Sequence, residues 1–267
     1  MTDRLSPTLE DVFRTLDRWR HLPGYRLEPN LAPFFGLYLR DILLGHLGIE
    51  THPIIVPEFP LRLGTLYENL SKERPGAGEN QSVQVDYATF SSDLKTVYLV
   101  ELKTDEKSID EEQKKYLRAA KEKDFNDLLS GIWQICTQDN LPSRRKYVHL
   151  IDNLIEVGLI KSDKCARSEL YKKTFPKPES HWKKFFTNAI PEICGRDIDK
   201  REIKIVYISP SGNALGSENM DFSEIGFDHV ADIVWKCGGI GREFAYYLKR
   251  WKDQAGEIDP RKLRSVP

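Results

Sequence analysis

No stretch of this 267-residue chain approaches the roughly 18 consecutive apolar residues that a helical bilayer crossing takes, so no membrane association is expected. The first residues, Met1 to Pro7, carry no apolar stretch of the secretory kind. Cys136, Cys165, Cys194 and Cys237 stand far apart and form no Cys-x-x-Cys. They read as plain thiols of a reducing cytoplasm, not as a disulfide set or a zinc site, and the expected location is cytoplasmic. The six histidines include no helical His-x-x-x-His pair, which removes the usual ligands of zinc hydrolysis and the usual base of a Cys/His scheme. A Walker glycine loop and a Gly-x-Gly-x-x-Gly turn are also missing, so the common nucleotide cofactors lose their cradle. Forty basic residues against 41 acidic ones leave a formal charge of −1, and no whole-chain attraction to nucleic acid or anionic lipid follows.

What is present is enough apolar side chain, 40% of residues, to bury a core at this length, so 1–267 reads as a single domain. Ser6-Pro7 opens a helix that runs to about His21 and stops at Pro23-Gly24. A second helix spans Asn30 to Gly48. Ile54 to Leu61 reads as an edge strand because of Pro57 and Pro60. Ser82 to Phe90 and Thr96 to Lys103 read as a hairpin around Ser91-Ser92-Asp93. Ser108-Ile109-Asp110-Glu111 has the form of a capping box for a helix reaching Cys136. A further helix lies between Arg144 and Ile160, a strand at Ile203 to Ser209, and helices from Phe227 to Trp251 broken at Gly238-Gly239. The order describes an α/β layer fold with a mixed central sheet flanked by helices, and a helical, basic insertion over 139–200.

Chemistry concentrates on the hairpin. Alternation along a strand sets Gln84, Asp86 and Ala88 on one face, and Leu99, Glu101 and Lys103 on one face of the next strand. With the turn centred near Asp93-Leu94, Asp86 falls opposite Glu101, at a cross-strand spacing of roughly 4.5–5.5 Å. Two carboxylates so close repel each other and one would take up a proton, a penalty that a divalent cation removes. Mg²⁺ (or Mn²⁺) favours such a site: hard oxygen ligands, one or two carboxylates, water and phosphate oxygens. Lys103 would orient water or offset charge on a phosphate.

Asp86 followed by Glu101-Leu102-Lys103 at the end of a buried strand resembles the PD-(D/E)xK nuclease superfamily, over residues 54–120. Val85 stands where the superfamily motif has proline. Gln113-Lys114-Lys115-Tyr116 on the next helix is similar to the Gln-x-x-Tyr motif of its RecB-like branch. Gln113, Tyr116, Leu117 and Ala120 share one helix face. Glu-x-Lys is uninformative by itself in so charged a chain. Asp105/Lys107, Glu112/Lys114 and Glu202/Lys204 share its spacing, but none has the preceding aspartate strand and the following Gln-x-x-Tyr helix.

The resemblance implies a restriction-endonuclease-like core. It implies Asp86 and Glu101 as metal ligands, with the Leu102 carbonyl as a third, and Lys103 as the catalytic lysine. Gln113 and Tyr116 would position substrate or active-site groups. Glu58 is the first candidate for an additional acidic ligand, with Glu28 and Asp41 as competitors. The implied reaction is hydrolysis of nucleic-acid phosphodiesters, DNA in preference to RNA, in repair or defence, with a protein partner supplying targeting. The alternative is a catalytically silent nucleic-acid-binding or assembly subunit of the same fold. Between Lys161 and Phe186 basic and aromatic residues interleave, and Lys172, Lys173, Trp182, Lys183 and Lys184 form a candidate nucleic-acid contact.

Overall fold

Local hydrogen bonding decides where the first helix begins. Thr8, not Ser6, is its N-cap: the Asp11 amide donates to Thr8 Oγ1 at 3.3 Å and the Thr8 amide donates to Asp11 Oδ2 at 2.8 Å, a reciprocal capping box. The computed structural model describes residues 8–22, 26–105, 108–136, 150–159, 201–213, 215 and 222–254. Helix α1 is Leu9–Trp19, and α2, Glu28–Leu47, starts before the expected Asn30 because Pro29 is tolerated in a first turn. It ends as expected at Gly48, whose φ of 67° suits a residue without a Cβ. Strand β1 is Val56–Arg62, followed by two single-turn helices, α3 (Leu63–Leu66) and α4 (Leu70–Glu73). Strands β2 (Ser82–Phe90) and β3 (Thr96–Leu102) form the expected hairpin.

The single helix expected from Ser108 to Cys136 is two, α5 (Glu111–Lys121) and α6 (Phe125–Cys136). Asp124 breaks it, its carboxylate accepting the Asn126 amide at 2.8 Å as an N-cap does. Ser108 does not cap α5; its hydroxyl donates to the Asp105 carbonyl at 2.5 Å. Residues 150–156 are helical (α7), within the expected Arg144 to Ile160 helix. Strand β4 is Glu202–Ser209, and β5 (Phe222–Gly226) is a strand where the sequence reading had none. Helices α8 (Phe227–Lys236) and α9 (Ile240–Gln254) are separated at Gly238 and Gly239, with φ of 72° and 50°. Most of the expected insertion over 139–200 lies outside the described residues, as do Lys172, Lys173, Trp182, Lys183 and Lys184.

The strands hydrogen-bond in the order β1-β2-β3-β4-β5, a five-stranded mixed sheet in an α/β fold. The first two pairings are antiparallel. Strands β3 and β4 advance together, since the Glu202 amide donates to Lys95 and the Lys103 amide to Ile208. The β2 to β3 register runs from Tyr87 opposite Val100 to Phe90 opposite Val97, centred between Asp93 and Leu94 as the turn residues predict.

The chain divides into two units, 1–50 with 101–110 and 206–267, and 51–100 with 111–205. In the first, aromatic rings make the core: Phe13 packs on Phe34 at 4.7 Å and Phe35 on Phe244 at 5.0 Å and Phe227 at 5.7 Å. There α9 packs on α8 and α1, and α8 on α2. In the second, α6 packs on β1 and Phe125 sits against Phe59 and Phe90 at 5.9 and 5.7 Å. No helix among the described residues is long and apolar enough to cross a membrane.

One buried polar bond ties α1 to α9. The indole of Trp251, 1% exposed, donates to Asp17 Oδ1 at 2.8 Å, and Arg250 Nη2 lies 2.9 Å from the other oxygen. Asp17→Ala leaves a buried indole N–H without a partner and is expected to cost about 2–3 kcal/mol in urea unfolding. Asp17→Asn, which keeps an acceptor, should recover most of that.

Candidate functional site

Glu101 and Lys103 lie in the first unit, at and just beyond the end of β3. The strand is buried on both faces there, so both charged side chains lie inside, with 2% and 5% exposure. Lys103 Nζ donates to Glu101 Oε1 at 2.9 Å. The lysine also stands 3.9 Å from Glu28 Oε2, on the first residue of α2. An ion pair removed from water to this degree costs several kcal/mol in desolvation, which the mutual attraction offsets only with good geometry. Leu102, whose carbonyl is the expected third ligand, is fully buried between them in sequence. Of the competing acids, Glu28 is the one brought to this lysine; Asp41 is exposed on α2 and acts on Tyr38 and Cys237. Asp105 faces Arg20, a neighbour that no spacing in the sequence announced.

The second unit holds Glu58, Asp86, Gln113 and Tyr116. Pro57 pairs with Tyr87 and Phe59 with Val85, so the register sets Glu58 opposite Asp86, yet the ladder skips that pair. Glu58 takes a φ of 52°, in the left-handed region that costs a non-glycine residue roughly 1–2 kcal/mol. The residue as a whole is exposed, but neighbouring protein desolvates its carboxyl. That burial, and secondly the Asp86 charge, hold the carboxyl above its ordinary pKa. Asp86 itself is half-buried on β2.

On α5 the expected face is present, with Tyr116, Leu117 and Ala120 buried and Gln113 half-buried. The Tyr116 hydroxyl donates to the Gln84 carbonyl at 3.3 Å, two residues from Asp86 along β2. Lys114, three residues before Leu117 and so beside that face, is also buried and pairs with Glu111 at 2.6 Å.

Two carboxylates, one of which raises the other's proton affinity, are a donor set suited to a divalent cation, and hard oxygen ligands suit Mg²⁺ or Mn²⁺. Among the described residues no three His, Cys, Asp or Glu are grouped so as to hold a metal by themselves. Any ion here would therefore take much of its shell from water or substrate oxygens, which is the habit of Mg²⁺. Comparison with family models, with curated proteins and with solved structures finds no match to this chain.

The Glu58 and Asp86 pairing is directly testable. Replacing Asp86 by Asn removes the second cause of the Glu58 shift and leaves the first. The Glu58 carboxyl, followed by carbon-13 NMR, should then titrate at lower pH than in the wild type while staying above an ordinary glutamate. An unchanged titration would mean that the two carboxylates do not face each other.

Proposed function

We propose that this chain is a divalent-metal-dependent nuclease with a restriction-endonuclease-like core, hydrolysing phosphodiester bonds of nucleic acid, DNA in preference to RNA. The observation that carries the reading is the buried ion pair of Lys103 with Glu101, two residues apart at the end of β3, with Glu28 beside it. A hydrophobic pair of similar volume would serve the fold equally well or better, so the two charges need a reason beyond stability. The hairpin register centred at Asp93-Leu94 is the one on which the expected roles of Asp86 and Glu101 depend. Backbone strain at Glu58, opposite Asp86, adds support, because such outliers gather where a side chain is held for chemistry.

In this reading, as the motif resemblance implies, Asp86 and Glu101 would hold Mg²⁺ or Mn²⁺ with the Leu102 carbonyl, and Glu58 would be a further acidic ligand. The bound ion would polarise the phosphate and lower the pKa of a water. Lys103 presents an ammonium with three donors, held at a fixed angle by Glu101 and Glu28, to orient the attacking water and offset charge on the phosphoryl oxygens. Its stem is buried, so the ammonium has little rotational freedom to lose. Gln113 and Tyr116 position substrate from α5, the tyrosine fixed by its bond to the β2 backbone.

Cleavage of linear and circular duplex DNA, single-stranded DNA and RNA with Mg²⁺, Mn²⁺ or EDTA tests this. Lys103→Ala and Asp86→Ala are each expected to lower metal-dependent cleavage by about 10²–10³-fold, the scale for losing one electrostatic stabiliser. Glu58→Gly should lower activity while keeping or raising the melting temperature, since glycine accepts the positive φ without strain. Mn²⁺ binding by calorimetry that Asp86→Ala abolishes, with no cleavage of any substrate, would replace the enzyme by the silent nucleic-acid-binding subunit. Equal Mn²⁺ binding in wild type and Asp86→Ala would remove the metal site altogether.

A further inference from the structure

Helices α8 and α9 wall an open groove of about 850 Å³ in the first unit. Its lining departs from an ordinary solvated helix face. Trp235 and Tyr246 hold more than half of their surface in solvent, 54% and 56%, from opposite walls. Large apolar rings cost free energy when left wet, and one on each wall of a single groove makes a patch. The rings are set among cations. The Arg242 guanidinium stacks over the Trp235 ring at 5.8 Å, and Lys236, Lys249 and Arg250 line the groove. On α9 the positions Arg242, Tyr246, Lys249 and Arg250 are i, i+4, i+7 and i+8, one stripe about 12 Å long. Among the lining residues three cations, Lys236, Lys249 and Arg250, stand against two acids, Asp232 and Asp253, on a chain whose net charge is −1.

The two carboxylate partners of these cations fix geometry more than they neutralise the surface. Lys249 is held 2.8 Å from Asp232 and Arg250 2.9 Å from Asp17, while Lys236 and Arg242 make no ion pair among the described residues. Rings that offer a flat face, interleaved with cations along a narrow lane, match a polyanion whose flat groups are exposed. In a duplex the base faces are covered by their neighbours; in an unpaired strand they are open to stack.

We propose that the α8/α9 groove binds an unpaired segment of nucleic-acid strand, with bases on Trp235 and Tyr246 and phosphates on Lys236 and Arg242. The choice of nucleic acid as occupant rests on the nuclease reading and extends it to a surface outside the residues proposed for cleavage. The site holds the strand and takes no part in bond breaking.

Fluorescence anisotropy of a labelled 12-nucleotide oligothymidylate in EDTA tests it, beside a duplex of equal length, with cleavage in Mn²⁺ measured separately. Trp235→Ala and Tyr246→Ala are each expected to weaken single-strand binding by about 5- to 100-fold. Trp235→Phe should restore most of it, and Lys236→Ala should reduce the slope of log affinity on log salt by about 0.7. Both rings are exposed, and unchanged circular dichroism would certify the fold of each variant. If wild type and both alanine variants bind the strand equally, the groove assignment falls while cleavage still decides the nuclease reading. Ring-dependent binding without cleavage leaves the groove standing and removes the nuclease. No binding by the wild type, with the ring variants altering self-association in sedimentation, makes the groove a protein contact and overturns the inference.

Discussion

Side chains on a strand change face at every step, so a slip of one residue between β2 and β3 would put Val85 or Tyr87 where Asp86 stands. What prevents the slip is a polar turn. Ser91 donates to Asp93 at 2.6 Å, the Thr96 amide donates back to the Ser91 hydroxyl at 2.9 Å, and Asp93 also accepts the Lys95 amide at 3.0 Å. These bonds, first the Ser91 hydroxyl and then the Lys95 amide, hold the Asp93 carboxyl below its ordinary pKa. The grip is present above the ordinary value and is lost as pH falls through the depressed one. Arg201 closes the turn from outside, donating to the Leu94 carbonyl at 2.8 Å while its guanidinium lies 5.9 Å from the Phe125 ring. Leu94 takes a φ of 59° there, a strain that the surrounding bonds hold in place.

This also marks where the sequence was legible. Ser91, Ser92 and Asp93 are turn formers between two apolar runs, so both the hairpin and its centre could be read from residue types alone. Glu101 and Lys103 could be singled out because a strand buried on both faces has no solvated face for a charge, and period-two spacing then places both on one side. Gly48 and the Gly238-Gly239 break were readable for the reason that glycine alone adopts a positive φ without strain.

The misses share a different cause: each turned on a contact distant in sequence or on competition between nearby caps. Ser6 and Thr8 both qualify as N-caps, and the reciprocal bond with Asp11 selects the second. Asp124 ends one helix and starts another, although the apolar pattern runs through it. Glu58 occupies a residue type and a strand position that predict extended backbone, and only pairing with β2 shows that it leaves that region. Residue types report what a segment prefers; they do not report which preference a neighbour overrides.

The charges of this chain therefore fall into two kinds. Those at Asp93, Asp17 and Lys114 are answered locally by amides, an indole or a carboxylate, and their role ends with the fold. At Glu58, burial and secondly the Asp86 charge make ionisation less favourable, and the backbone there is strained. Both features cost the folded state free energy, so stability does not account for either. A divalent cation, as proposed above, would offset the repulsion between the two carboxylates. The strain is steric and the repulsion electrostatic, so the two support the proposed metal site for independent physical reasons.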